Sequence, residues 1–229
     1  YSFYHYGHLG GYSCVNKDFK REIQYLATDV DLENLSFKIN DQVIHLNKDA
    51  FFAVYYTLAA YTLCKVIGIS DEGIIKALNE DVMESKRLKV LHLDNRDVEM
   101  LESKNENNLS YLQSLNYINN YKGKKTIILG FDNVSRRYKF NDISWLYDVD
   151  FEILDMDNID KIFCIGRFRY DVYNRLILAG IKEDKLILVD DIKSIISLVK
   201  EKSTGMIFTM VCFDMTAVLK KLIMEDNND

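Results

Sequence analysis

Four short apolar runs dominate the second half of this chain, at residues 126–129, 162–165, 186–189 and 206–213. Each run is rich in residues of high β propensity and contains no charge, which is typical of strands that are buried on both faces. Helical stretches separate the runs, and the clearest one, at 191–200, carries its isoleucines and valine on one face. Strands that alternate with helices predict βαβ units, so we expect an α/β fold whose mainly parallel sheet has helices on both faces.

The first part of the chain follows a different pattern. Apolar residues alternate at 23–27 and at 35–39, and a tight turn at 40–41 leads into 43–46, which predicts a small β element that contains a hairpin. Residues 50–67 then predict a helix, and Ser70 is expected to cap a second, shorter helix. In the first part of the chain the predicted strands come first and the predicted helices follow, whereas in the second part strands and helices alternate.

The change of pattern gives the expected domain boundary. Residues 80–89 are highly charged and poorly periodic, so we place a linker at 83–89. One domain is then expected at 1–82 and a second at 90–229. Because Tyr1 already stands in a strand-like pattern, we expect further sequence upstream.

Composition and charge exclude several classes of function. A net charge of −6 and a pI near 5.3 argue against nucleic-acid binding, which needs a surplus of Lys and Arg on one face. The longest apolar run, at 50–64, is too short to cross a bilayer, so no transmembrane segment is expected. The four cysteines are widely separated, which favours reduced thiols and a cytoplasmic protein.

Asp142 is the strongest candidate for a reacting group. It follows the apolar run 126–129 in a segment that holds the only tryptophan, Trp145. Ligands gather outside the carboxyl ends of strands in open α/β sheets, and a carboxylate there could orient an imidazole. No histidine follows Asp142 in the chain, so that imidazole would belong to another polypeptide. The alternative is a helix N-cap that accepts hydrogen bonds from the backbone near Ser144.

Other motifs carry weaker signals. His5, His8 and Cys14 could bind a metal, but a structural zinc site needs four ligands and Lys17 stands where a second cysteine would fall. An aromatic β-ribbon is the favoured alternative, and a zinc site is doubtful. The run 123–126 resembles a phosphate-binding loop but precedes a strand instead of following one, so we reject it. Arg175 could hold a carboxylate across the domain, or could be an exposed helix residue.

Taken together, several short segments resemble the MurT-type subunit of lipid II isoglutaminyl synthase, a family related to the Mur ligases. The segment 142–148 is the most specific of them. The others are 6–10 with Cys14, 19–21, 58–61, 104–105, 150–152, 175–176 and 216–217.

The resemblance implies both a fold and an activity. Residues 90–229 would be the Rossmann-like C-terminal domain of a Mur ligase, and residues 1–82 the tail of a central domain with a degenerate zinc-ribbon remnant. The family uses ATP and Mg to activate the D-glutamate of the lipid II stem peptide in peptidoglycan synthesis. The ATP-binding part would lie upstream, so this chain would be an incomplete part of a glutamine-hydrolysing carbon–nitrogen ligase that binds no cofactor itself.

The resemblance also assigns roles to single residues. Ammonia would come from a GatD-type glutaminase, and Asp142 would complete that partner's Cys–His pair. Contacts with substrate or partner would fall on Lys104, Asn105, Trp145, Arg175 and Thr216.

Departures from the family pattern keep other functions open. The Lys-Asn-Pro-x-Gly turn of the family reads Lys-Asn-Glu-Asn-Asn at 104–108, and its Asp-Gly before Asp142 reads Lys-Phe at 139–140. A degenerate, non-catalytic paralogue that acts as a protein-interaction module is therefore the alternative. A free-standing Rossmann-like domain that binds a small ligand is a third possibility.

Overall fold

A computed structural model describes residues 2–6, 9–16, 22–31, 34–46, 53–80, 88–101, 108–132 and 142–226. The chain divides into two compact units, unit 1 at 1–86 and unit 2 at 87–229. Each unit has its own cluster of buried apolar side chains.

The described residues of unit 1 form two small antiparallel sheets and two helices. Its elements are β1 (Ser2–Tyr6), β2 (Leu9–Ser13), β3 (Ala27–Asp31), β4 (Ser36–Ile39), β5 (Gln42–His45), α1 (Ala53–Val66) and α2 (Asp71–Glu80). Strands β1 and β2 pair with each other, and β3, β4 and β5 form a three-stranded sheet in that order.

Local sequence signals explain where the β4–β5 hairpin turns, where α1 ends and where α2 begins. The β4–β5 hairpin turns at Asn40 and Asp41, which both have positive φ, as a tight two-residue hairpin turn requires. Gly68, at φ +89°, ends α1, and Ser70 Oγ accepts a hydrogen bond from the Gly73 N–H at 3.3 Å. The predicted hairpin, both helices and the Ser70 cap are confirmed. The alternation at 23–27 leads to a strand that begins only at Ala27.

Unit 2 is built around one six-stranded sheet. Its strands are β6 (Leu88–Leu93), β7 (Arg96–Leu101), β8 (Lys125–Gly130), β9 (Ile159–Ile165), β10 (Leu186–Leu188) and β11 (Met206–Val211). Its helices are α3 (Asn108–Asn120), α4 (Arg169–Leu178), α5 (Ile195–Lys202) and α6 (Phe213–Asp226). The strand order is β10-β9-β8-β11-β7-β6, and every pair is parallel except β6 with β7.

Helices cover both faces of this sheet. Ile207 belongs to the buried cluster that contains residues of α5 and α6. Its neighbour Phe208 points to the other face, where its ring contacts Tyr117 and Tyr121 at the end of α3. The predicted α/β class with a mainly parallel sheet is therefore confirmed, and all four predicted strands are present.

The β6–β7 hairpin is an element that the sequence interpretation missed. The predicted linker at 83–89 overlaps its first two residues, because β6 begins at Leu88. Polar residues interrupt both strands, at Lys89 and His92 in β6 and at Arg96, Asp97 and Glu99 in β7, so neither shows the continuous apolar run of a central strand. The Asp94-Asn95 pair between the strands is the turn signal that could have revealed the hairpin, and Asp94 has a positive φ of 52° there.

Candidate functional site

The candidate site lies at the carboxyl edge of β8 and β9, where the two strands approach very closely. A Cβ atom at Gly130 would lie 2.4 Å from a side-chain carbon of Ile165, so only glycine fits there. Beyond the strands, the Phe168 N–H donates to the Phe131 carbonyl at 3.1 Å. The Arg167 N–H donates to Asp132 Oδ1 at 3.2 Å. These bonds join the segments that follow the two strands.

Trp145 is anchored at this edge by two aromatic rings. Its ring centroid lies 5.1 Å from that of Tyr111 on α3 and 5.5 Å from that of Phe131, the first residue after β8. Its Nε1 atom is buried, and no acceptor among the described residues lies within hydrogen-bond reach of it. The aromatic cluster therefore fixes the 3₁₀ turn Ser144–Asp148 beside the end of β8.

Asp142 stands just before that 3₁₀ turn and is exposed. Its Oδ1 accepts a hydrogen bond from the Ser144 N–H at 2.9 Å, which is the local bond of an Asx turn. The first residue of the turn is Ser144, so the N-cap position falls on Ile143 and Asp142 lies one residue earlier. The backbone N–H and the hydroxyl of Ser144 lower the pKa of Asp142, so its carboxylate stays ionised and accessible.

Arg175 holds the segment that carries Asp142 and Trp145. From α4, its Nε donates to the Leu146 carbonyl at 3.2 Å and its Nη2 to the Val149 carbonyl at 2.7 Å. The same nitrogen forms an ion pair with Glu152 at 3.0 Å, and only 7% of the Arg175 side chain is exposed. The interpretation of Arg175 as an exposed helix residue is therefore wrong, because the guanidinium lies under the 3₁₀ segment.

Unit 2 offers Asp142 no histidine. The one histidine in its sequence is His92, in the edge strand β6. His92 pairs with Asp97 at the start of β7, and its Nδ1 lies 2.8 Å from Asp97 Oδ1. The start of β7 is the opposite end of the sheet from the carboxyl edge, on the order of 13 Å away along four residues of strand.

The remaining predicted site residues are dispersed. Thr216 is buried in the first part of α6, and its hydroxyl donates to the Cys212 carbonyl at 3.4 Å. Lys104 and Asn105 lie outside the described residues, between β7 and α3. The sequence interpretation did not include Tyr111, Phe131 or Glu152, whose roles depend on contacts with distant segments.

The metal candidates do not form a site in the described part of the chain. Cys14 follows β2 there, while His8 lies outside the described ranges. Among the residues with described placement, no three side chains of His, Cys, Asp or Glu converge as metal ligands would. A zinc ion needs four ligands, so these residues do not fit one and no chemistry is assigned to it.

Comparison with known proteins defines the class of this fold. A pseudomurein peptide ligase type C from Methanothermus fervidus superposes with a TM-score of 0.64 at 15% identity, over 96% of this chain and 45% of that one. MurF from Acinetobacter baumannii gives a TM-score of 0.62 at 16% identity, over 90% and 45% of the two chains. The chain therefore has a Mur-ligase-like α/β fold.

The sequence comparisons are more specific. Residues 103–215 match the family described as MurT ligase C-terminal. The MurT subunit of lipid II isoglutaminyl synthase (glutamine-hydrolyzing) from Staphylococcus aureus is 27% identical over 184 residues, which cover 80% of this chain and 41% of that protein. The MurT-type resemblance is thus confirmed, at low identity.

The similarity covers only part of the curated relatives. The chain spans less than half the length of the curated MurT relatives that it matches. In the described part of the chain, no helix is both long enough and apolar enough to cross a membrane.

Proposed function

We propose that this chain is part of a MurT-type amidotransferase subunit, which docks a GatD-type glutaminase and amidates the D-glutamate of lipid II in peptidoglycan synthesis. The observation that carries the proposal is Asp142, an exposed and anchored carboxylate at the carboxyl edge of the sheet, whereas His92, the one histidine in the sequence of its unit, lies at the opposite edge beside Asp97. The MurT relatives support the reaction class. The widely spaced cysteines, none of them in a disulfide, agree with a cytoplasmic setting.

In this proposal Asp142 accepts a hydrogen bond from the Nδ1–H of the partner's histidine. The contact fixes the imidazole tautomer and stabilises its protonated form after the histidine takes a proton from the partner's cysteine. The cysteine thiolate then attacks the glutamine carboxamide, and the imidazolium returns its proton to the nitrogen as the C–N bond breaks, so that ammonia leaves and water hydrolyses the remaining thioester. Because the Ser144 N–H keeps the pKa of Asp142 low, the carboxylate is charged wherever that imidazole titrates.

The segment 123–126, which has a superficial phosphate-loop pattern, does not fit a phosphate group. It places Lys125 Nζ against the carbonyls of Ile118 and Tyr121, at 2.7 and 2.8 Å. That amino group is buried and engaged, so it is not available to a phosphate. We therefore assign no role in nucleotide binding to this segment.

The decisive experiment is Asp142→Asn in the natural polypeptide, purified as a complex with the GatD-type glutaminase subunit of the same organism. We expect glutamine hydrolysis to fall by roughly 10²–10⁴-fold, since an amide cannot orient and charge-stabilise the imidazole as a carboxylate does. The affinity of the two subunits should change little. Ammonia release measures the first quantity and calorimetry the second.

Asp157→Asn is the matched control, because Asp157 is also exposed and lies fifteen residues further along the same connection. It should leave hydrolysis unchanged. Normal hydrolysis by the Asp142→Asn complex would remove the catalytic role of Asp142.

A non-catalytic interaction module is the second candidate function. The observation that favours it is the altered sequence at 104–108, which has lost the proline and glycine of the family turn. An intact complex that hydrolyses glutamine but transfers no ammonia to lipid II would support this alternative. Ammonia transfer by that complex would exclude it.

A further inference from the structure

Helix α4 presents an exposed and largely apolar stripe. Tyr170, Asn174, Ile177 and Leu178 are spaced by three or four residues, so they lie on one side of the helix. Tyr170 is 53% exposed and Leu178 is 70% exposed. Large apolar side chains grouped in this way on a surface mark an interaction site more often than isolated ones do.

The stripe is continuous with the segment that carries Asp142. Leu178 stands three residues after Arg175, whose guanidinium bonds to the Leu146 and Val149 carbonyls. Between those two carbonyls the chain presents Tyr147, which is 57% exposed. Tyr147 lies five residues after Asp142, a separation of about 10 Å in a 3₁₀ geometry.

Exposed acidic residues lie near this surface in the described part of the chain. Asp148, Asp150 and Asp171 are exposed, and none of them has an ion-pair partner among the described residues. Asp171 stands four residues before Arg175 and therefore on the side of α4 that faces the 3₁₀ segment. The nearby Arg169 is already paired with Asp190 at 3.0 Å. A partner that covers this region meets two tyrosines and a leucine inside a negative rim.

We propose that the histidine-bearing glutaminase docks on this surface, which we call the α4 face and which comprises Tyr147, Tyr170, Asn174, Ile177 and Leu178. The inference rests on the proposed function, since the partner must bring its imidazole within hydrogen-bond reach of Asp142. A protein interface of ordinary size buries about 800 Å² on each partner, so it extends well beyond 10 Å from its centre. The negative rim selects a partner whose surrounding surface is basic.

The apolar part of the α4 face is tested by the double substitution Tyr147→Ala with Leu178→Ala. The natural polypeptide is titrated with the GatD-type glutaminase subunit of the same organism. We expect the Kd to rise by at least about tenfold, because buried tyrosine and leucine anchors carry a large share of interface energy. Glutamine hydrolysis at saturating partner should remain within about twofold of the wild type.

Two controls separate docking from folding. Tyr56→Ala removes a tyrosine of similar exposure, 58%, from unit 1 and should leave the Kd unchanged. Trp145 fluorescence of the double variant should match that of the wild type, because both substituted side chains are largely exposed. An unaltered Kd in a folded double variant overturns the proposal.

The negative rim is tested by Asp148→Asn with Asp171→Asn. Electrostatic steering acts mainly on association, so we expect the association rate at low salt to fall a few-fold and its salt dependence to weaken. An unchanged salt dependence would contradict the basic partner surface.

Hydrolysis and binding measurements together separate the docking role of the α4 face from the catalytic role of Asp142. Normal hydrolysis with Asp142→Asn, together with weakened binding by the double variant, would sustain the α4 face and remove the role of Asp142. Loss of hydrolysis with Asp142→Asn, together with normal binding by the double variant, would do the reverse. A wild-type chain that does not bind this glutaminase would overturn both.

Discussion

At the scale of single residues, Asp142 and Arg175 both belong to the arrangement around the 3₁₀ turn, and their proposed roles differ. Asp142 is held by a bond to Ser144, two residues away, and stays exposed. Arg175 reaches residues that lie 23 to 29 positions earlier in the sequence and is buried. We infer that Asp142 supplies the chemistry, while Arg175 positions the segment that presents it.

Substitution of Arg175 by Met should loosen this segment. The carbonyls of Leu146 and Val149 would lose the guanidinium donor and keep only the backbone N–H groups of Val149 and Phe151, so we expect a loss of about 1–3 kcal/mol in the free energy of unfolding, measured by urea denaturation. The Glu152 part of the ion pair is largely exposed and adds little. Arg167→Met, which removes an exposed arginine from the adjoining loop, is the control and should cost much less.

The same ion pair predicts a pH dependence with a defined sign. The hydrogen bond from Arg175 lowers the pKa of Glu152 in the folded protein. Stability from a lowered carboxyl pKa is complete above the unfolded value, about 4.3, and is lost as the pH falls through the folded value. The difference between wild type and Arg175→Met should therefore shrink as the pH is lowered from 5 towards 3. A difference that grows on acidification would contradict this account.

At the scale of elements, Lys125 decides how α3 ends. Its side chain is fully buried at the start of β8, and its Nζ donates to the carbonyls of Ile118 and Tyr121. The last carbonyls of a helix have no partner within the helix, so a buried amino group can satisfy them. Burial is also the main cause that lowers the pKa of Lys125 to about 8.

We expect Lys125→Met to destabilise unit 2 by about 1–2 kcal/mol at pH 7, because the carbonyls of Ile118 and Tyr121 lose their bonds to the buried amino group. Between pH 8 and the unfolded value near 10.4, the unfolded side chain holds a proton that the folded one has lost, so wild-type stability rises with pH. The effect of the substitution should thus be larger at pH 9.5 than at pH 7, by about 1–2 kcal/mol. Chemical denaturation at both values measures it, and Lys202→Met, at the exposed end of α5, should show no such increase.

At the scale of the whole molecule, the described residues of the two units form buried clusters of different size. Those of unit 2 form a six-stranded sheet and a buried cluster of sixteen apolar residues on one face. The corresponding cluster of unit 1 contains six. Since apolar burial supplies most of the stability of a fold, unit 2 has the larger part of it.

A polypeptide of residues 87–229 should therefore fold alone. We expect one cooperative urea transition and a Trp145 emission spectrum equal to that of the longer chain, because Tyr111, Phe131 and Trp145 all lie in unit 2. Residues 1–86 alone should be markedly less stable. A non-cooperative transition for 87–229 would show that its core depends on unit 1.

The sequence by itself determined the class of the fold and the identity of its central strands. Parallel strands buried on both faces must be apolar along their whole length, and that requirement is visible in the runs that became β8, β9, β10 and β11. It also determined local devices such as the Ser70 cap and the bond from Ser144 to Asp142, because both partners lie within three residues.

The tertiary structure alone decided where β11 is inserted, between β8 and β7, and that β6 and β7 form the edge hairpin. It also decided that Arg175 and Lys125 are buried and bonded to carbonyls of other elements. The pattern of apolar residues in a segment predicts how much of that segment is buried. It does not predict which distant segment packs against it. From the sequence alone, long polar side chains are expected to be exposed. Only the packing of distant segments decides which of them are buried beside a hydrogen-bond partner.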